Sequence, residues 1–145
     1  NVAAQVGNYW QIAGTQFELG PVTPFVARSY GQELALCQRY YREWGGNSPN
    51  ERIAVGFYWN STNFRTCVDL NPTMRTTPTL SVTSHSHFYT EYNGGSAVNT
   101  FHGLDQASPK IAAFVVTTTR TASGGMAGQL MCNSNDARLK LDAEL

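Results

Sequence analysis

The residues best suited to chemistry in this chain are two histidines spaced two apart, His85 and His87, in the run Ser84-His85-Ser86-His87. On a β-strand, side chains two apart project from one face, so both imidazoles would stand together. Imidazole suits transition metals, which makes the pair a candidate metal site. The competing reading is two hydrogen-bonded histidines on a strand edge. The carboxylates Asp69, Glu91 and Asp105 are what a polysaccharide-cleaving enzyme would have to bring together as a pair. Scattered as they are, they read as solvated charges of strands and loops. The sequence holds no GxSxG, HExxH, P-loop or dinucleotide-binding glycine pattern. The chain is therefore expected to be non-catalytic.

Aromatic side chains beside turns point to a different chemistry. Sugar rings stack on flat apolar faces while their hydroxyls need polar neighbours. Tyr58-Trp59-Asn60 and Phe88-Tyr89-Thr90-Glu91-Tyr92-Asn93 offer both. Neighbours on a strand face opposite ways, so one member of each run belongs to the core. Trp59, Tyr89 and Tyr92 are expected outside, with Asn93 as a polar partner, as candidate glycan-binding residues.

Composition narrows the setting. Ten basic and ten acidic residues cancel, and only 14 % of the chain is charged. A nucleic-acid binder would carry a basic stripe, so nucleic acid is excluded as a partner. No apolar run approaches 18 residues, so no helix inserts in a membrane. Cys37, Cys67 and Cys132 form no CxxC or zinc spacing and read as free, buried thiols, with one disulfide plus a spare thiol as the alternative. A start at Asn1-Val2-Ala3, without Met or leader pattern, is expected of a processed or excised C-terminal piece.

The elements that must position these residues are mostly strands. Residues 1–24 read as one strand, bulged at Gly14, that belongs to an upstream β domain, followed by a Pro-rich linker. Residues 29–44 predict a helix within a collar spanning 25–46. Ser29 and Gln32 form a capping box, and Gly45-Gly46 supply a stop. Tyr30, Leu34, Cys37, Tyr41 and Trp44 fall at steps of 4, 3, 4 and 3, the seam of a coiled coil between subunits or the buried face of a helix on its own sheet. From 47 to 145 the pattern is short strands at 53–59, 64–70, 78–84, 86–92, 97–103, 111–119, 126–132 and 138–144, separated by turn residues. That layout predicts a mainly β chain with an antiparallel sandwich head.

The block Trp10-Gln11-Ile12-Ala13-Gly14-Thr15-Gln16-Phe17-Glu18-Leu19-Gly20, with the helix Glu33-Leu34-Ala35-Leu36-Cys37-Gln38-Arg39-Tyr40-Tyr41, resembles the C-terminal region of bacteriophage tail-fibre and receptor-binding proteins. Pro72-Thr73-Met74-Arg75-Thr76-Thr77-Pro78-Thr79 and the ending Ala143-Glu144-Leu145 are also similar to that family. The sequence departs from the pattern at Phe17 and in most loops of the head. The resemblance implies a jelly roll closing upstream, a helical collar and a β head in a homotrimer. It implies an extracellular location on the virion's tail fibre and attachment to a bacterial surface glycan or outer-membrane protein. In such a trimer, three copies of His85 and His87 at the axis would offer six nitrogens to a transition metal; no other cofactor is expected. The alternatives are a structural fibre component that trimerises without binding receptor, and a surface-polysaccharide depolymerase.

Overall fold

Tyr30–Gln38 form the α1 helix because the residues before it satisfy its free amide groups. The Gln32 amide donates to Ser29 Oγ at 3.4 Å, and the Ser29 amide donates to Gln32 Oε1 at 3.0 Å, so the capping box is present in both directions. These elements belong to a computed structural model that describes residues 15, 17, 19–21, 23–24, 27–119 and 121–144. The expected first strand lies almost wholly outside the described residues. Phe17 and Leu19, which are described, are fully exposed.

The helix is shorter than its periodicity implies. It ends at Gln38, and Tyr41–Trp44 become the β1 strand. Tyr41 and Trp44 therefore do not continue a helical seam. Arg42 and Trp44 alternate with Tyr41 and Glu43 as half-buried against exposed. The cause is non-local: β1 pairs with β9 (Leu139–Asp142), in register Arg42 with Leu141 and Trp44 with Leu139. Gly45 and Gly46, both at positive φ, end this strand instead of the helix. A Cβ at Gly45 would lie 2.3 Å from the Ala137 carbonyl oxygen. Arg42 also fastens the end of α1, donating from Nε to the Gln38 carbonyl at 3.2 Å and from Nη2 to the Pro72 carbonyl at 2.5 Å.

The remaining strands are β2 (Arg52–Tyr58), β3 (Asn63–Asp69), β4 (Thr79–Val82), β5 (Phe88–Glu91), β6 (Gly95–Leu104), β7 (Ile111–Thr118) and β8 (Ala127–Cys132). The chain is mainly β, but not the sandwich that the strand spacing suggests. Six strands close into an antiparallel barrel in the order β2-β3-β7-β6-β5-β8, and β1-β9-β4 form a separate three-stranded sheet. The β2–β8 pairing closes the barrel. Two irregularities on β6, between Val98 and Thr100 and between Phe101 and Leu104, shift its register against β7. The first switches its buried positions from Ser96 and Val98 to Phe101, as a bulge in a bent strand does.

Alternation decides which residues fill the barrel. Along β7, Ala112, Phe114, Val116 and Thr118 are buried while the residues between them are not. Tyr58, Phe64, Phe88, Phe101 and Leu130 join them in the core. Leu139, Leu141 and Ala143 belong to the same cluster, so barrel and sheet share one core. Tyr58 meets Phe64 edge to face at 5.3 Å, and Phe88 meets Phe101 at 5.1 Å. Buried hydroxyls are paired: Tyr58 Oη and Thr90 Oγ1 are 2.8 Å apart, and Thr66 donates to the Val55 carbonyl at 2.6 Å, whereas Arg65 Nε is buried without a hydrogen-bond partner among the described residues. Such pairing removes the penalty of burying a hydroxyl.

Cys132 is buried, but Cys37 and Cys67 are exposed, against the expectation of three buried thiols; all three are free. Burial pushes the Cys132 thiol up to about 11, with the nearby Glu51 charge adding to the effect.

Candidate functional site

Two outward positions on β2, Val55 and Phe57, and Trp59 just beyond its end carry exposed apolar groups. Val55, Phe57 and Trp59 are 73, 44 and 58 % exposed, whereas Tyr58 between them is 1 % exposed. Side chains two apart on a strand lie roughly 6.6 Å from one another on one face. The three therefore form a ridge. Gly56 lets β3 approach beneath it, since a Cβ there would lie 2.1 Å from the Arg65 carbonyl oxygen.

On the β3 side, the ridge borders a cleft of about 260 Å³ lined by Val55, Phe57, Arg65, Cys67, Asp105 and Gln106, among others. The Arg65 guanidinium sits 4.4 Å from the Trp59 ring and 3.3 Å from Asp105. Cation–π attraction and the ion pair together hold the indole in place.

On the β8 side, a second, open cleft of about 530 Å³ is lined by Val55, Glu91, Tyr92, Asn93 and Gln129, and by Gly94, Ala127 and Gly128. Polar side chains cross it in a chain. Arg52 donates from Nε to Gln129 Oε1 at 3.0 Å, and Gln129 donates from Nε2 to Glu91 Oε2 at 2.7 Å. The strands place them so: Glu91 lies opposite Gln129 across β5 and β8, and Gln129 lies opposite Val55 across β8 and β2. Gly128 keeps the floor open, because a Cβ there would lie 2.8 Å from the Glu91 carbonyl oxygen.

The structure places Trp59 on the ridge and brings Tyr92 and Asn93 together in the second cleft. Asn93, exposed at φ 45, occupies the turn between β5 and β6. Tyr89 and Tyr92 are half-buried, not exposed. Tyr89 Oη donates to Asn50 Oδ1 at 3.2 Å, and the Tyr92 ring meets Tyr58 at 6.1 Å. Sequence reasoning missed Val55, Phe57, Arg52, Arg65 and Gln129. For Val55 and Phe57 the available signal was their shared parity with Trp59.

His85 and His87 are not on a strand. His85–His87 form a single 3-10 turn between β4 and β5, and the two rings have separate partners. His85 Nδ1 accepts from the Phe101 amide at 3.2 Å and stacks on the Phe101 ring, while His87 Nδ1 lies 3.3 Å from Thr83 Oγ1. The strand geometry that would set both imidazoles on one face is thus absent. Within the chain, the described residues hold no group of three His, Cys, Asp or Glu side chains suited to a metal. Nor do the three scattered carboxylates share a cleft. Glu91 and Asp105 line different ones, and Asp69 lines neither.

Of the expected helix seam, Tyr30, Leu34 and Cys37 lie exposed on α1, while Tyr41 and Trp44 lie on β1. Trp44 packs against the core. Compared with known proteins, the chain matches no family model, no curated protein and no solved structure.

Proposed function

We propose that this chain is the tip of a phage tail fibre, and that its β barrel attaches the virion to a bacterial surface glycan through the β2 ridge and the clefts beside it. The observation that carries the reading is the ridge itself. Three apolar side chains, two on barrel strand β2 and the third, an indole held by Arg65, just past its end, stand exposed in a row. An exposed apolar patch rimmed by polar groups is a common mark of a binding surface. A row of flat and branched apolar groups flanked by carboxylates, amides and a guanidinium is suited to sugar rings and their hydroxyls. The virion setting is supported by the resemblance of the Trp10–Gly20 block and the helix to fibre proteins. Individually weak contacts would be multiplied by the copies in a fibre. The test is retention of the chain on bacterial surface polysaccharides, with Trp59→Ala as the comparison.

A second reading, a fibre component that only trimerises, is favoured by one observation. The α1 helix has no buried residue, and Tyr30 on it is 82 % exposed. A nine-residue helix is marginal alone. Its exposed side carrying Tyr30, Leu34 and Cys37 therefore suits packing against the same helix of two further copies. The two readings combine naturally, with the helix as collar and the barrel as head.

A further inference from the structure

We infer that the cleft between β2, β8 and β5 is the subsite that selects the sugar, and that it takes a neutral, hydroxyl-rich glycan while rejecting polymers that carry carboxylates. This inference rests on the glycan reading above and specifies its ligand. The argument starts from Gln129. Its amide is fixed at both ends, with Oε1 taken by Arg52 and Nε2 directed to Glu91. The amide stands between the guanidinium and the carboxylate, and among the described residues Glu91 makes no ion pair, unlike Glu33, Glu43 and Asp105.

Glu91 Oε2 takes the Gln129 donor, and no other described residue donates to Oε1, which is left to accept from a ligand. An ionised carboxylate only accepts hydrogen bonds. A ligand group that meets it must donate, as a sugar hydroxyl or an amide N–H does. A uronate or sialate carboxylate brought there would meet a like charge. Val55 forms the apolar edge of this same cleft and Asn93 its polar edge, which supplies both kinds of contact that a sugar ring needs. A mostly apolar wall with a few fixed polar groups is the usual composition of a small-ligand site.

The experiment uses the whole 145-residue chain, on an array of bacterial surface polysaccharides of known charge. Wild type is compared with Glu91→Gln, Gln129→Ala and Trp59→Ala, and circular dichroism melting confirms that each variant folds. The expected result is that wild type retains neutral polymers. Glu91→Gln keeps the shape but loses the charge. It should weaken neutral binding by about tenfold, the equivalent of one charge-assisted hydrogen bond, and raise retention of acidic polymers. Gln129→Ala, which frees the carboxylate from its support, should weaken neutral binding in the same direction. If wild type binds and Trp59→Ala loses binding while Glu91→Gln leaves the neutral-to-acidic ratio unchanged, the subsite assignment is wrong and the ridge stands. Wild-type preference for acidic polymers overturns the assignment as well. Retention of no polysaccharide overturns both this inference and the glycan reading beneath it.

Discussion

Gln129 on β8 donates to Glu91 on β5 at 2.7 Å, across a strand pair that sets the two residues directly opposite each other. That bond and the one from Arg52 to Gln129 tie three adjacent barrel strands together on the outside. The sheet register therefore fixes the position of the carboxylate, and the side chains do not have to find it. A site built on paired strands is held more firmly than one built on loops, and binding to it orders fewer groups.

Gly56→Ala should destabilise the barrel, because the added Cβ would lie 2.1 Å from the Arg65 carbonyl oxygen and 2.7 Å from the Thr66 Cβ. A clash with main chain cannot be relieved by a rotamer change, and the β2–β3 pairing must open. The expected cost is on the order of 1–3 kcal/mol, read from urea unfolding. A melting curve that matches wild type would show that β2 and β3 are farther apart.

Thiol labelling should divide the cysteines. Cys37 and Cys67 are exposed, and Cys132 is buried with its pKa pushed up to about 11. Only thiolate attacks an alkylating reagent. Native protein at pH 8 should take up iodoacetamide at Cys37 and Cys67 and spare Cys132. Peptide mapping by mass spectrometry checks this, and urea should make all three reactive.

Alkaline pH should lower stability, and the sign follows from the same thiol. The folded state holds the Cys132 proton until about pH 11, whereas an ordinary thiol releases it near 9. The unfolded chain therefore gains from deprotonation first. Stability from this group is complete below pH 9 and is lost as pH rises toward 11. Tyr41, raised to about 12 by its hydrogen bond to Glu43, acts in the same direction at higher pH. Melting temperature should fall across that range, and Cys132→Ala should flatten the part between 9 and 11.

The helix makes a prediction about assembly. If Tyr30, Leu34 and Cys37 meet their copies, light scattering after size exclusion should give a mass near three times 15.9 kDa. Leu34→Ser should then lower it toward the mass of one chain. A monomer at all concentrations would leave α1 without the partner proposed for it.

The strands were largely legible because their signal is local. Alternation places β2 through β9 within a few residues of where the sequence puts them, and the turns at Asn60-Ser61, Asn93-Gly94 and Asn133–Asp136 fall where expected. Closure was not legible. A barrel and a sandwich alternate alike, and only the β2–β8 pairing distinguishes them here. Residues 41–44 misled for a related reason. Tyr41 and Trp44 continue a helical spacing, but the partner that makes them a strand is β9, nearly a hundred residues away. His85 and His87 lie in Thr83-Ser84-His85-Ser86-His87, a stretch without apolar alternation, which is what a turn between strands looks like. The ridge was half visible. Opposite faces for Tyr58 and Trp59 follow from strand geometry, but Val55 and Phe57 look like core residues until the barrel shows which parity points outward.

The measurement that bears most directly on the central claim is binding of this chain to an array of bacterial surface polysaccharides, with wild type beside Trp59→Ala. The account predicts that wild type is retained by at least one polysaccharide, and that Trp59→Ala lowers its affinity about tenfold, in line with the loss of a stacked aromatic anchor, while melting like wild type. Retention on none of them, or equal retention of the two proteins, would contradict it.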